Sequence, residues 1–128
     1  MRSAPRHVRI PTYLFAAVFA YGTVVHLIQL AGGGGDPYPG VPVVIAWFFV
    51  ALVVLDPLAA VLIAQRRRIG LLIGCTTLML DAAANAVVNY PPHDPAEGVT
   101  AGRVGQAVVT ALAVLLVITT PRLWRWYR

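Results

Sequence analysis

The chain has 128 residues, 59% of them hydrophobic and 12% charged, with a mean hydropathy of +0.74. That balance excludes an ordinary water-soluble domain, which is about half apolar even with glycine counted. The net charge of +5 rests on ten arginines against five acids; the arginines sit at segment ends, not on a folded basic face, which excludes nucleic acid as a partner.

About 20 apolar residues in a helix cross a bilayer core, and four stretches qualify. The first covers residues 11–31, PTYLFAAVFAYGTVVHLIQLA. At about 1.5 Å of rise per residue, its His26 lies about 7 Å to the outer side of the span centre. Gln29 follows three residues later on the same face, and Gly22 lies one turn below His26. The basic start and the LAGGG ending loosely fit a signal peptide, but the apolar region is too long and holds His26 and Gln29, so the span is expected to be retained. The link GGGGDPYPG is a turn-forming loop.

The second span covers residues 42–65, PVVIAWFFVALVVLDPLAAVLIAQ. Its Pro57 has no backbone N–H to donate, which frees the carbonyl of Val53 and predicts a kink. Asp56 stands directly before it, somewhat under one turn to the inner side of centre. Proline beside an intramembrane acid recurs at binding sites, where loosened backbone meets a ligand. The charged turn QRRRIG leads to the third span, residues 69–90. Here Gly70, Gly74, Thr77, Asp81, Asn85 and Asn89 recur every three or four residues and form one stripe. Its glycine end suits close helix contact and its polar end suits a site, with Asp81 near the midplane. Cys75 is the one cysteine, which rules out an intramolecular disulfide and reads as a small core residue.

The fourth span covers residues 102–120, reached through the proline-rich loop PPHDPAEGVTA. Gln106 stands at a depth similar to His26 and Asn85, with Thr110 one turn deeper. The closing aromatics Trp124, Trp126 and Tyr127 read as an interfacial anchor, with Tyr38 and Tyr90 at the opposite interface. Arg2, Arg6 and Arg9, then Arg66, Arg67 and Arg68, then Arg122, Arg125 and Arg128 all fall on one side of a four-span chain, and only Arg103 on the other. The positive-inside rule then places both termini in the cytoplasm. The expected fold is a single all-α domain over residues 1–128, an integral-membrane four-helix bundle in the cell membrane, passing it several times and surrounded by membrane lipids.

Intramembrane charges cost several kcal/mol unless neutralised, paired or hydrated, so they face a bundle interior and mark function by default. Asp81 and Asp56 are therefore the leading candidates, with His26, Asn85, Gln29, Asn89 and Gln106 as the surrounding polar groups. No phosphate loop, paired-cysteine pattern or HExxH motif is present, and His7, His26 and His93 are not spaced as metal ligands. No cofactor and no metal are expected. No serine lies in any span, which excludes a buried serine nucleophile.

Four short-looped spans, the proline-bearing second helix VVLDPLAAVLIA, the polar third helix and the ending TPRLWRWYR together resemble the EXPERA group, the emopamil-binding sterol isomerases and the sigma-two receptor. The chain is also similar to small actinobacterial four-span membrane proteins and, in size, to bacterial proteins of the DoxX type. The EXPERA resemblance implies acids in an outward membrane cavity that meet cationic amines or a developing positive charge. Asp56 and Asp81 would be those acids, and His26 a proton partner. Span one carries no acid, with neutral Gln29 near its outer end, so the resemblance points to ligand binding ahead of isomerisation.

The function expected is an outward-facing intramembrane polar pocket that binds a small lipophilic or cationic ligand. The alternatives are a proton-transfer enzyme using Asp81 and His26 on a lipid-like substrate, an interaction subunit whose polar groups only fix packing beside a membrane partner, and a pore unit that works as a homo-oligomer.

Overall fold

The computed structural model describes residues 4–128; Arg2, counted above with the N-terminal arginines, lies outside the described residues. Four helices follow one another: α1 (Arg6–Gly32), α2 (Val43–Ala64), α3 (Arg68–Val88) and α4 (Ala101–Trp124). Each is long and apolar enough to span a membrane. The shortest, at 21 residues, reaches about 32 Å against a hydrocarbon core of about 30 Å.

Two ends of the bundle differ chemically. One carries the start of α1, the α2–α3 turn and the C-terminal tail, and with them every arginine among the described residues except Arg103; it is called the arginine end below. The other carries the two longer loops, residues 33–42 and 89–100, and is called the loop end.

α1 and α4 go beyond their apolar spans because backbone hydrogen bonding does not stop where apolarity does, whereas α2 stays within residues 42–65 and α3 ends two residues before Tyr90. α1 starts at Arg6, ahead of Pro11, and the Pro5 carbonyl accepts from both Val8 and Arg9 at 3.0 Å. Proline this near a helix start leaves only the His7 carbonyl without its donor. α4 likewise runs on through Pro121 to Trp124. α2 runs unbroken through Asp56 and Pro57, so the proline lies inside a continuous helix. At α4 the Thr100 side chain caps the first turn, accepting from the Arg103 amide at 3.2 Å.

Each helix packs against its chain neighbour, and α1 and α4 touch only sparingly. Glycine sets the closest approach. A Cβ on Gly70 would stand 2.7 Å from the Leu62 carbonyl carbon and 2.8 Å from the Ile63 nitrogen, so α3 lies directly on the α2 backbone there. One turn along, Gly74 faces the Phe19 ring and the end of Ile63. The small-residue half of the α3 stripe therefore packs, as expected. Around it Phe15, Phe19, Ile63, Leu71, Leu116 and Leu123 form the main core, drawn from all four helices. A smaller cluster of Phe49, Leu52 and Ala84 joins α2 and α3 nearer the loops, with Tyr38 packed against it.

The C-terminal tail closes the arginine end. Arg68 N donates to the Arg128 carbonyl at 2.9 Å, and Arg128 N to the Arg66 carbonyl at 3.0 Å. The Arg68 guanidinium bonds the Tyr127 and Trp124 carbonyls and lies over the Trp124 ring. Tyr127 is not the interfacial anchor that the sequence suggested. It is 3% exposed, and its hydroxyl meets Thr12 Oγ1 at 2.8 Å. Tyr38 also turns inward, its ring 5.2 Å from that of Phe49. Trp126 remains exposed.

The exterior is apolar. No more than 22% of the most apolar stretch of any helix is buried, and Tyr21, Val44 and Trp47 stand out from the bundle. A soluble bundle would turn such faces inward.

Candidate functional site

On three helices one buried stripe carries a polar residue in a slot that an apolar side chain would otherwise fill. On α1 the buried positions are Val8, Thr12, Phe15, Phe19 and His26. On α2 they are Phe49, Leu52, Asp56, Ala59 and Ile63. On α3 they include Gly74, Thr77, Leu78, Asp81 and Ala84. The helical period of 3.6 puts each polar group on the core face, and His26, Asp56 and Asp81 are 9%, 5% and 8% exposed.

The imidazole of His26 meets Asp56, not Asp81, with Nε2 3.9 Å from Oδ2. Room for this comes from Gly22, where a Cβ would stand 2.5 Å from that same oxygen. His26 Nδ1 lies 3.1 Å from Gln29 Oε1. A carbonyl oxygen only accepts, so Nδ1 carries the donated proton. Nε2 therefore faces Asp56 either with its lone pair or with a second proton. An attractive contact requires one proton between imidazole and carboxyl, on one partner or the other. The Phe49 ring stacks on His26 at 6.3 Å and fixes its plane.

Asp81 is held by its own helix. Asn85 Nδ2 donates to its Oδ1 at 2.9 Å and to its backbone carbonyl at 3.0 Å. Asn89 Nδ2 in turn donates to the Asn85 carbonyl at 2.8 Å and to its Oδ1 at 3.4 Å. The amides thus form a ladder down α3, each donating toward Asp81. At its top the Asn89 amide lies against Gly102 of α4, where a Cβ would collide with it. Arg103 donates to the Asn89 carbonyl at 3.0 Å and to Gly98 and Ala96, tying the second loop to the end of α3. The Tyr90 ring lies under that guanidinium.

Among the described residues no hydrogen bond or ion pair joins Asp81 to His26, Gln29 or Asp56. Burial first, then Asp81, pushes the Tyr38 hydroxyl above its ordinary value. That hydroxyl donates to Gln29 Oε1 at 3.4 Å and roofs the His26 side of the site.

Six of the seven candidates thus form two connected groups: His26, Gln29 and Asp56 across α1 and α2, and Asp81, Asn85 and Asn89 along α3. Gln106 joins neither. Its Nε2 donates to Thr110 Oγ1 at 2.9 Å, and Thr110 donates back to the Gln106 carbonyl at 2.8 Å. Equal depth on another helix did not bring it to the acids. Phe49 and Tyr38 were missed as members of the site. The stripe of residues 49, 52 and 56 was the available signal for Phe49, whereas nothing local pointed to Tyr38.

The amides of α3 and α4 do not bond one helix to another; their partners lie within their own helices. Among the described residues no three His, Cys, Asp or Glu side chains are grouped to hold a metal ion. One cleft of about 270 Å³ lies between α2 and α3, lined by Leu55, Leu72, Thr76 and Leu80 among others. Another of about 230 Å³ lies at the arginine end. Neither reaches His26, Asp56 or Asp81. No protein family, curated protein or solved structure matches the chain.

Proposed function

We propose that the chain is a four-span protein of the cell membrane with both termini in the cytoplasm, and that an outward-facing intramembrane pocket binds a small lipophilic cation between Asp56 and Asp81. The orientation rests on the arginines. Arg6, Arg9, Arg66, Arg67, Arg68, Arg122, Arg125 and Arg128 gather at one end, and Arg103 stands alone at the other, tied to loop carbonyls. Basic residues collect on the cytoplasmic side of short-looped spans.

The ligand class rests on one observation. Two carboxyl groups from different helices, Asp56 and Asp81, are buried in a bundle whose single buried basic side chain, among the described residues, is His26. An ammonium group supplies what that set lacks, a donor able to satisfy a carboxylate in a dry setting. The packing alternative is weakened because Asn85, Asn89 and Gln106 spend their hydrogen bonds within their own helices. The EXPERA resemblance implies the same role for Asp56 and Asp81.

A second reading is proton transfer on a lipid-like substrate. The His26–Asp56 pair favours it, because that contact needs one shared proton and is wider than a hydrogen bond.

Dodecylamine and dodecanol, equal in chain length and different in charge, test the binding reading on protein in lipid nanodiscs. The wild type is expected to retain the amine over the alcohol. Asp56→Asn and Asp81→Asn each remove a charged hydrogen-bond partner worth about 1.5–3 kcal/mol, which corresponds to a loss of about tenfold to a hundredfold. Gln106→Ala is expected to change nothing. Equal retention of amine and alcohol, or unchanged amine binding in both acid variants, refutes the reading.

A further inference from the structure

The arginine end holds a second candidate site, unrelated in chemistry to the acids. Ala4, Arg9, Thr12, Tyr13, Ala64 and Arg66 line a cleft of about 230 Å³ between the first turns of α1 and the turn after α2. Arg66 is held there with φ of 54°, in the left-handed region that a residue bearing a Cβ rarely adopts. Its amide donates to the Ile63 carbonyl at 2.8 Å, and its own carbonyl accepts from Arg128 at 3.0 Å, so the turn and the tail fix it from both sides.

Beside the cleft, Thr12 donates to the Val8 carbonyl at 2.8 Å and therefore accepts from the Tyr127 hydroxyl. Burial pushes that hydroxyl above its ordinary value, and the Arg66 charge pulls it part of the way back.

No acidic side chain lies at this end. Asp36, Asp94 and Glu97 lie in the two loops at the far end, and Asp56 and Asp81 belong to the site already described. Among the described residues neither the Arg9 nor the Arg66 guanidinium makes an ion pair or a hydrogen bond. Arg68 differs, being engaged by the Trp124 and Tyr127 carbonyls. Two unengaged guanidinium groups across a cleft match the several acceptor oxygens of a phosphate. The flanks of the cleft are apolar and outward: Ile10, Tyr13 and Val61 are 65%, 60% and 52% exposed. A soluble anion has no use for such flanks, whereas acyl chains do.

We propose that this cleft binds the phosphate of an anionic phospholipid through Arg9 and Arg66, with the acyl chains lying along Tyr13 and Val61. Basic pockets between membrane helices on the cytoplasmic side take acidic headgroups in this way. The proposal rests on the membrane-spanning reading but not on the cation site.

Native mass spectrometry of detergent-extracted protein, offered phosphatidylglycerol and phosphatidylcholine of the same acyl chains, tests it. Wild type is expected to retain phosphatidylglycerol preferentially. Each of Arg9→Gln and Arg66→Gln is expected to weaken that retention about fivefold, and the double variant about thirtyfold. Arg67→Gln, at an exposed arginine outside the cleft, is expected to stay within about twofold of wild type. An unchanged far-UV spectrum of the double variant separates loss of the site from loss of the fold.

Equal retention of the two lipids overturns the proposal. So does an Arg67→Gln effect as large as that of Arg66→Gln, which would mean a diffuse charge patch. Displacement of the lipid by millimolar inorganic phosphate would reassign the cleft to a soluble anion. Carbonate extraction of cell membranes keeps the two readings apart: protein that stays in the pellet without lipid preference refutes the site alone, and protein released to the supernatant refutes the spans.

Discussion

Replacing Gly22 by alanine tests whether that glycine serves the Asp56 carboxylate or only helix packing. A Cβ at position 22 would stand 2.5 Å from Asp56 Oδ2, where ordinary contact begins at 3.4 Å, so the carboxylate must withdraw by about 0.9 Å. Asp56 is buried and has little space to withdraw into. Overpacking of this kind costs about 1–3 kcal/mol. Alanine in place of a helical glycine returns about 1 kcal/mol. The net expectation for Gly22→Ala is a loss of about 0–2 kcal/mol. In an Asp56→Ala background the obstructing carboxylate is gone, and the same substitution should stabilise by about 1 kcal/mol. The two backgrounds together form a double-mutant cycle with a coupling of about 1–3 kcal/mol. Thermal melting followed by far-UV circular dichroism in one detergent reads it, each kcal/mol moving Tm by about 4 °C for a chain of this length. An equal effect of the same sign in both backgrounds refutes the reasoning and leaves Gly22 as a packing residue.

Three further outcomes follow from the same geometry. Gly70→Ala places a Cβ against backbone atoms of Leu62 and Ile63 that cannot give way, so a loss of about 3 kcal/mol is expected in the same melts. Gly105→Ala, which meets nothing within 4 Å, is the neutral or stabilising control. Arg103→Ala removes the donors that hold the Asn89, Gly98 and Ala96 carbonyls; proteolysis within residues 91–100 should rise about tenfold while Tm barely moves. For orientation, Gly35→Cys and Ala96→Cys in a Cys75→Ala background should react with a membrane-impermeant maleimide on intact cells, and Arg67→Cys only after permeabilisation. The reverse pattern inverts the proposed topology.

The sequence by itself determined the four helices and the faces they bury. Length and apolarity mark a helix able to cross a bilayer, because an unpaired backbone has no partner in hydrocarbon. The period of 3.6 then puts Asp81 on the stripe that begins at Gly70, and the cost of a charge in hydrocarbon turns Asp56 inward with it. The helix ends were less legible. Apolarity reports the part that lipid would cover, whereas backbone bonding continues past Pro11 at one end and Pro121 at the other.

Only the tertiary structure decided which polar groups meet. Depth along a helix is countable from residue numbers, and by depth His26, Asn85 and Gln106 stand level. The rotation of one helix against the next is not countable. It is set where helices come closest, at Gly22 beside the Asp56 carboxylate, Gly70 on the Leu62 backbone and Gly102 against the Asn89 amide. Those contacts turn His26 to Asp56, leave Asp81 to its own helix's amides and leave Gln106 with Thr110. They also draw Tyr38 and Tyr127 inward. Side-chain partners across a bundle depend on the relative phase of separate helices, and the periodicity within any one of them does not contain that phase.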